Sequence, residues 1–303
     1  MRIFAVIAAF VFLFGCTTKE SIDCNPISDF KISPDDSYIA HEYGDNLCIH
    51  GMNGLYKTSI PVHKGFAWIN SSHIALGQEC DSYCIEIWDI EKMEKTKTIE
   101  IEKENVTYSR ITYLNGSLVV DYETNEGRVK IVKDDEIMKG PEFELLDEDI
   151  VLIKDVGIHT TPYATKQGEK IAKYDSGQII IYSLDGTNLT KIKEIDFDIE
   201  EIVERRLGYG LRKIEYSPDG RYIAAAGTYS ITAGPSIPHV SGLGFVIVLD
   251  TENESIVLFD KGGSTIGDNF GFFGWRSDNR LLYGFQGEGL HQLRTFDPAT
   301  EAK

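Results

Sequence analysis

A short turn motif with an apolar segment on each side recurs along this chain of 303 residues. The fullest copy, residues 216–224, reads YSPDGRYIA, and residues 32–40, ISPDDSYIA, align with it position by position. A third copy begins at Trp275 with WRSDNRLL. Asp and Asn side chains tie such turns to the backbone and glycine permits positive φ, so each copy predicts a β-hairpin.

Looser copies of this hairpin begin at Trp68, at Tyr113 and near Leu146, which brings the number of copies to six. Third and fourth strands follow the hairpins, as at residues 245–250 (FVIVLD) and 255–260 (SIVLFD). Four short strands per unit, repeated with a period of about 40 to 50 residues, are typical of the blades of a β-propeller. The sequence therefore predicts an all-β chain of four-stranded antiparallel blades, with six blades preferred and five or seven as alternatives.

The Ser-Pro-Asp-Gly turn followed by Arg-Tyr-Ile-Ala, together with third strands that end in Asp, resembles the repeats of TolB-like and WD-repeat-like β-propellers. The resemblance covers roughly residues 28–297 and implies a single propeller domain over residues 28–303. It implies little about function, because such propellers include scaffolds, receptors and enzyme domains. A segment near residues 21–27 is expected to supply the fourth strand that the last blade lacks, and so to close the ring.

The first sixteen residues have the pattern of a bacterial export signal. Arg2 precedes an apolar run over residues 3–14. This run is too short for a membrane-spanning helix of roughly 20 residues, but it suits the core of a signal peptide. Residues 13–16, LFGC, resemble a lipobox, the motif in which a cysteine is lipidated before the signal is cleaved. The resemblance implies that Cys16 carries the lipid; an export signal with a chance cysteine is the alternative.

Removal of the signal peptide, residues 1–15, would leave a lipidated N-terminus and tether over residues 16–27. In lipoproteins of this type, a residue other than aspartate after the cysteine implies the outer membrane. Thr17 therefore predicts residence there, on the periplasmic side or at the surface, if the organism has such a membrane. No second apolar run in the sequence approaches spanning length, so the lipid alone is expected to hold the protein at the membrane.

The chain is acidic, with 48 Asp and Glu residues, 30 Lys and Arg residues and a formal net charge of −18. Nucleic acid is not an expected partner, because a polyanion gains no counterion release from such a surface. Anionic lipid headgroups are repelled because the protein has the same sign of net charge. The acidity is interpreted as a source of solubility, with cation binding as the alternative.

Four cysteines besides Cys16, an even number, indicate disulfides formed in an oxidising compartment. We predict the pairs Cys24–Cys48 and Cys80–Cys84, because residues 80–84, CDSYC, suit a clip across a hairpin loop. A zinc site is the alternative, but the C-x3-C spacing lacks a nearby second pair and paired histidines. No metal and no cofactor are predicted.

Two long intervals between copies predict loop insertions at residues 158–178 and 228–244. Both are placed between the second and third strands of their blades, on the face that also holds the connections between blades and the ends of the cysteine-bearing strands. Long loops on a rigid scaffold commonly form binding surfaces, with insertions of no function as the alternative. The candidate partner-binding residues are His159, Tyr163, Lys166, Lys170, Lys173 and Tyr174 in the first loop and Tyr229 and His239 in the second. The lysines suit an anionic patch on a partner, or else form a solvated charged loop.

The seven histidines form no H-x-x-x-H pair and no G-x-S-x-G elbow occurs, so no catalytic residue is predicted and an enzyme is the less favoured interpretation. The expected function is that of a membrane-anchored extracytoplasmic scaffold that binds a protein of the cell envelope. The alternatives are a propeller hydrolase in the periplasm or at the cell surface, and a small-molecule sensor.

Overall fold

The structure is a computed structural model. It describes residues 24, 29–62, 65–81, 83–102, 108–123, 128–133, 136–137, 143–154, 156–197, 209–231, 240–262, 270–286 and 292–301. Within these ranges the chain is almost entirely β-strand, in seven antiparallel sheets, with a short helix α1 at Pro298–Glu301. No helix in the described ranges has the length and apolar character that crossing a membrane requires.

The sheets follow one another along the chain, and we number them as blades 1 to 7. Blade 1 contains β1 (Lys31–Ile32), β2 (Tyr38–Tyr43), β3 (Asn46–Gly51) and β4 (Tyr56–Pro61). Blade 2 contains β5 (Phe66–Trp68), β6 (His73–Gln78), β7 (Tyr83–Asp89) and β8 (Glu94–Glu102). Blade 3 contains β9 (Tyr108–Leu114), β10 (Ser117–Glu123), β11 (Arg128–Lys133) and β12 (Glu136–Ile137). Blade 4 contains β13 (Phe143–Asp147), β14 (Ile150–Ile153) and β15 (Gly157–Thr160).

The remaining three blades have the same antiparallel arrangement. Blade 5 contains β16 (Ala164–Gln167), β17 (Lys170–Asp175), β18 (Gln178–Asp185) and β19 (Asn188–Asp196). Blade 6 contains β20 (Tyr209–Tyr216), β21 (Tyr222–Ile231), β22 (Val240–Asp250) and β23 (Ser255–Gly262). Blade 7 contains β24 (Gly271–Trp275), β25 (Leu281–Phe285) and β26 (Arg294–Phe296). Consecutive strands are hydrogen-bonded neighbours in every blade, so the predicted all-β class with antiparallel blades is confirmed.

Apolar side chains form a buried cluster at each of the seven junctions between neighbouring blades. The ring closes where Phe30 and Ile39, at the start of the described chain, pack against Phe272 of blade 7. Successive residues of a strand point to opposite neighbours, since Ala224 packs towards blade 7 and Ala225 towards blade 5. Inner strands are therefore buried on both surfaces, as in β24 and β25, where every residue is buried, which explains their nearly continuous apolar sequences.

The repeated turn is stabilised as its sequence predicts. In blade 6 the Ser217 hydroxyl donates to Asp219 Oδ1 at 2.6 Å and accepts the Tyr222 amide at 2.9 Å. Ser33 forms the same two bonds in blade 1. Gly220 has a φ of 74°, a conformation that favours glycine, so the full Ser-Pro-Asp-Gly motif is suited to this turn.

The two faces of the ring differ because strands alternate in direction. In blades of regular order the turns between first and second strands lie on one face, the turn face. The linkers between blades lie on the opposite face, the linker face. First strands of neighbouring blades lie side by side around a central channel, with β5 beside β9, β16 beside β20 and β24 beside β1.

Blade 4 is built in the reverse order. Its last strand, β15, lies beside β16, and the Thr160 carbonyl in β15 accepts a hydrogen bond from Arg110 in the first strand of blade 3. Its first strand, β13, is an exposed edge, where Leu145 is 70% exposed. The turn at residues 147–149 therefore lies on the linker face, where its Asp149 carbonyl accepts the amide of Thr161, just before β16.

The first predicted insertion is wrong, because residues 158–178 form β15, β16, β17 and the start of β18. The long interval after Leu146 thus holds a further blade, and the seven sheets exceed by one the six copies read from the sequence. The hairpin of blade 5 turns at Gly168 and Glu169, which lack the Pro-Asp signature of the other copies.

The second predicted insertion does separate second and third strands, since residues 232–239 connect β21 and β22 in blade 6. These eight residues lie outside the described part of the chain, as do the signal peptide and the lipidated Cys16. Of the segment predicted to close the ring, residues 21–27, the structure describes only Cys24. The predictions for these segments therefore stay predictions.

Candidate functional site

A cleft of about 330 Å³ opens on the linker face, beside the central channel. Its walls include Asp29 before blade 1, Tyr163 in the linker between blades 4 and 5, Arg212 and Lys213 in β20, and Phe270 directly before β24. Ring closure brings these residues together although they lie far apart in sequence. A concave site with several polar groups at one point is the usual form of a binding site, so this cleft is the candidate.

Positive side chains gather at the cleft and at the adjoining mouth of the channel. Lys31 Nζ extends from β1 to blade 2, where it donates to the Phe66 carbonyl, and lies 3.5 Å from the Ile111 carbonyl oxygen of blade 3. Burial, reinforced by the charges of Arg110 and Lys213, lowers the pKa of the Lys31 ammonium to about 8, although Asp29 acts in the opposite direction. Three blades thus contribute cations that are close enough to influence one another.

The two cations of β20 have different surroundings. Lys213 Nζ forms an ion pair with Glu215 Oε2 at 2.6 Å and lies over the ring of Phe273. The Arg212 guanidinium carbon lies 3.8 Å from the centroid of the Phe270 ring, and no carboxylate of the described residues is within ion-pair distance of it. Stacking on an aromatic ring leaves the edge of a guanidinium free to donate hydrogen bonds, so Arg212 is available to a ligand.

Of the predicted partner-binding residues, Tyr163 lies in the cleft, with 44% of its surface exposed. Lys166, near the end of β16, and Lys170, at the start of β17, are exposed towards the turn face. Tyr174 is partly buried and packs edge-on against Phe197, with ring centroids 6.3 Å apart. These residues do not form one surface.

The other predicted residues are also dispersed. Tyr229 in β21 is 4% exposed, and burial raises its pKa, so this side chain belongs to the core. His159 Nε2 lies 2.7 Å from Asp121 Oδ2, which ties β15 to blade 3. His239 lies outside the described residues.

Lys173, the remaining predicted residue, is enclosed by the acidic turn of blade 4. Its Nζ lies 2.7 Å from Asp147 Oδ1, 2.9 Å from Glu148 Oε1 and 3.4 Å from Asp149 Oδ2. Burial alone would lower the pKa of Lys173, but the hydrogen bonds to Asp147 and Glu148 raise it. Three carboxylates at this spacing have the geometry of a cation site, and the Lys173 ammonium fills it. This lysine therefore serves an internal network between blades 4 and 5.

Both predicted disulfides are present. Cys24–Cys48 joins the segment before blade 1 to β3, with Cα atoms 6.0 Å apart. Cys80–Cys84 closes the connection between β6 and β7 on the linker face. The sequence predicted the cysteines at strand ends, but Cys48 lies inside β3. Two disulfides are typical of proteins in oxidising compartments outside the cytoplasm.

A buried histidine pair lies within blade 1. His41 in β2 and His50 in β3 have their Nε2 atoms 3.3 Å apart and their rings nearly parallel. Burial, together with the nearby His50, lowers the pKa of His41 to about 4, and burial also lowers the pKa of His50. Both imidazoles are therefore neutral near pH 7, and the pair belongs to the interior of the sheet.

The sequence matches no model of a protein family and no curated protein sequence. The structure resembles the β-propeller domain of Cps50 (Swd1) from Myceliophteria thermophila, with a TM-score of 0.56 and 11% identity over 89% of this chain and 96% of that one. It also resembles KlHsv2 with loop 6CD replaced by a Gly-Ser linker, with a TM-score of 0.53 and 15% identity over 90% and 98% of the two chains. At this identity the likeness shows a WD-repeat-like propeller fold and nothing about function.

Sequence reasoning missed Arg212, Lys31 and Phe270 as cleft or channel residues. A usable signal was present, since Arg212 and Lys213 are adjacent cations in a strand of an acidic chain, shortly before the fullest turn motif. First strands line the channel of a propeller, so charged residues shortly before each turn motif are the ones to inspect.

Proposed function

We propose that this protein is a lipid-anchored, extracytoplasmic β-propeller that binds a protein of the cell envelope through its linker face. The observation that carries the proposal is the cleft, where Tyr163 is exposed and Arg212 stacks on Phe270 without a carboxylate partner among the described residues. Tyrosine and arginine are enriched among the residues that contribute most to protein interfaces.

The turn face, in contrast, uses its polar groups internally. The Asp219 amide donates to Asn279 Oδ1 at 2.9 Å, which links blades 6 and 7. Ser277 donates its amide and its hydroxyl to Asp36 Oδ2, at 3.0 and 2.7 Å, which links blades 7 and 1. Asn115 donates to a carbonyl of blade 4 in a similar way. These bonds hold the ring together, so the linker face is the better candidate for a partner.

The anchoring part of the proposal is supported by the N-terminal pattern and by the first disulfide. Cys24 is fixed to β3, so the tether from Cys16 to Cys24 spans at most about 28 Å when fully extended. A lipid on Cys16 would therefore keep the propeller close to the membrane surface. Thr17 after the cysteine supports the outer membrane as the site of residence.

A small-molecule sensor is the second candidate function. The cleft volume of about 330 Å³ is near the lower limit of small-ligand sites, which occupy about 300 to 1,000 Å³. The described residues give no comparable support to the hydrolase alternative.

Crosslinking and affinity capture of the full-length protein from its native envelope test the proposed binding face. The variant Tyr163→Ala is compared with Tyr56→Ala, a control at the turn face that is 48% exposed in the wild type. We expect Tyr163→Ala to lower recovery of the partner at least about fivefold, as for a central interface tyrosine, and Tyr56→Ala to leave it unchanged. An unchanged partner set with Tyr163→Ala contradicts the linker face.

The anchor is tested separately with Cys16→Ser. Loss of the lipid should move the protein from the membrane fraction to the aqueous fraction, because the acidic chain has no attraction to anionic headgroups. Persistence of this variant in the membrane fraction contradicts lipid anchoring.

A further inference from the structure

We infer that the cleft receives an acidic side chain from an extended segment of the protein partner, with Arg212 as its main contact. The inference rests on the proposed function and adds the chemistry of the partner. It follows from the charges at the channel mouth, the position of the Arg212 guanidinium and the size of the cleft.

Four cations from three blades converge at this mouth in a chain whose formal net charge is −18. They are Lys31 in blade 1, Arg110 in blade 3 and Arg212 and Lys213 in blade 6. Gathering like charges is unfavourable unless carboxylates or a ligand compensate them. The carboxylates within reach of each cation therefore show which cations still lack a negative partner among the described residues.

Two carboxylates at the mouth are already engaged. Asp29 accepts the Phe30 amide at 2.8 Å, and its charge acts on both Lys31 and Lys213. Glu215 pairs directly with Lys213. These two acids offset the two lysines and leave the arginines.

The third carboxylate, Glu42, also attracts Lys31 and accepts a backbone amide from Gly65, while burial raises the Glu42 pKa. Arg110 donates to the Thr160 carbonyl at 3.2 Å, a bond that uses one of its five donors and supplies no negative charge. Within the described ranges neither Arg110 nor Arg212 has a carboxylate within ion-pair distance. Among the described residues, these two arginines are thus cations of the mouth without an ion-pair partner.

Arg212 is the more accessible of the two, because its side chain is exposed and lines the cleft. The guanidinium carbon lies over the Phe270 ring, 3.8 Å from its centroid, so the ring covers one side of the group. A guanidinium held in this way presents parallel N–H groups that match the two oxygens of a carboxylate. The geometry therefore favours a carboxylate over a neutral polar group.

The cleft has room for one or two side chains and not for a folded surface. Tyr163 and Phe272 provide apolar contact beside the charges, which suits the aliphatic part of a glutamate or an adjacent residue of the same segment. A short extended stretch that carries an acidic residue meets both requirements.

Fluorescence anisotropy with the full-length protein in detergent micelles tests the inference. The probes are three labelled hexapeptides that alternate glycine with Glu, Gln or Lys. We expect the Glu peptide to bind at least tenfold more tightly than the Gln peptide. Arg212→Gln should abolish this preference, whereas Arg280→Gln, which alters an exposed arginine already paired with Asp278 on the turn face, should preserve it.

A charge reversal distinguishes a binding role of Arg212 from a structural one, because only a binding role predicts a change in which peptide is bound. Arg212→Glu should lose the Glu peptide and gain affinity for the Lys peptide. Equal binding of the Glu and Gln peptides by the wild type overturns the inference, and so does binding of free glutarate without binding of the Glu peptide. If Tyr163→Ala reduces partner capture from the envelope but Arg212→Gln does not, the proposed function stands and only the acidic chemistry fails.

Discussion

The junctions around blade 6 and those around blade 4 are held together in different ways. Blade 6 meets blades 5 and 7 through large apolar clusters that include Phe245 and Trp275. The described residues between blades 3 and 4 form a small aliphatic cluster around Ile153. Polar contacts supplement the junctions of blade 4, with His159 against Asp121 on one side and the Lys173 network on the other.

The difference follows from the local sequence. Residues 142–149 read EFELLDED, so blade 4 offers few apolar side chains and many carboxylates to its neighbours. Apolar burial is non-directional and tolerates small displacements. Removal of one partner of a buried ion pair, in contrast, leaves the other charge buried and uncompensated. Single substitutions should therefore affect the two regions by different mechanisms and by different amounts.

The largest effect is expected at the junction of blades 4 and 5. Lys173→Met removes a cation that is almost fully buried among Asp147, Glu148 and Asp149 and leaves their charges uncompensated. We expect the free energy of unfolding to fall by about 3 to 5 kcal/mol in urea titrations. The control Lys170→Met, at an exposed site, should stay within about 0.5 kcal/mol of the wild type. Equal effects of the two variants contradict the ion-pair account of this junction.

Acid should weaken blade 1 before it weakens the Lys173 network. The folded-state pKa of His41, about 4, lies below its ordinary value of 6.5, so its neutral form contributes stability that is complete above pH 6.5 and is lost as the pH falls towards 4. The expected loss is about 3 kcal/mol. The Asp147 pKa is lowered despite its burial, because of its hydrogen bond to Lys173, so its contribution persists until the pH falls below its ordinary value.

Hydrogen exchange measured between pH 7 and pH 4 checks this order, with blade 1 expected to lose protection first. His41→Leu should flatten the dependence of the unfolding free energy on pH. A wild-type stability that does not change over this range contradicts the buried neutral pair.

A moderate effect is expected from a tryptophan at the junction of blades 6 and 7. The Trp275 indole donates to the Glu215 carbonyl at 3.1 Å, as Trp68 does to the Lys31 carbonyl between blades 1 and 2. Trp275→Phe removes this bond and part of the buried ring, so we expect a loss of about 1 to 2 kcal/mol in urea unfolding. A loss as large as that of Lys173→Met would show that directional bonds dominate both regions.

The smallest effect concerns the bond between turns of blades 6 and 7. Asn279 has a φ of 65° and accepts the Asp219 amide through its side chain. Asn279→Gly keeps the backbone conformation and removes the acceptor, so a loss of about 0.5 to 1 kcal/mol is expected. Thermal melts measure this loss. Asn279→Asp keeps an acceptor, so its stability in these melts should remain close to that of the wild type. A neutral Asn279→Gly variant would mean that water replaces this bond without cost.

The sequence predicted those features of the fold that depend on local chemistry. The turns at Ser33 and Ser217 form as expected because their hydroxyl and carboxylate bonds lie within a few residues. The blade 5 hairpin was missed because Gly168 and Glu169 make a tight turn without that signature. The reverse order of blade 4 depends on which of its strands packs beside the first strands of the neighbouring blades. No local sequence pattern determines that choice.

The candidate site was predicted only in part for the same reason. Tyr163 was expected on the linker face as part of a loop insertion, whereas it lies in a short linker between blades on that face. Lys173 looked like a solvent-exposed cation because its three acidic partners precede it by more than twenty residues. Arg212 and Phe270 meet only through packing of neighbouring blades.

Site-specific photocrosslinking in native envelopes reveals which face of the propeller contacts a partner. A photoreactive phenylalanine analogue is placed at position 163, on the linker face, or at position 56, on the turn face, of the full-length protein. Binding through the linker face predicts a discrete adduct with one envelope protein from position 163 and none from position 56. An adduct from position 56 alone, or equal adducts from both positions, would contradict it.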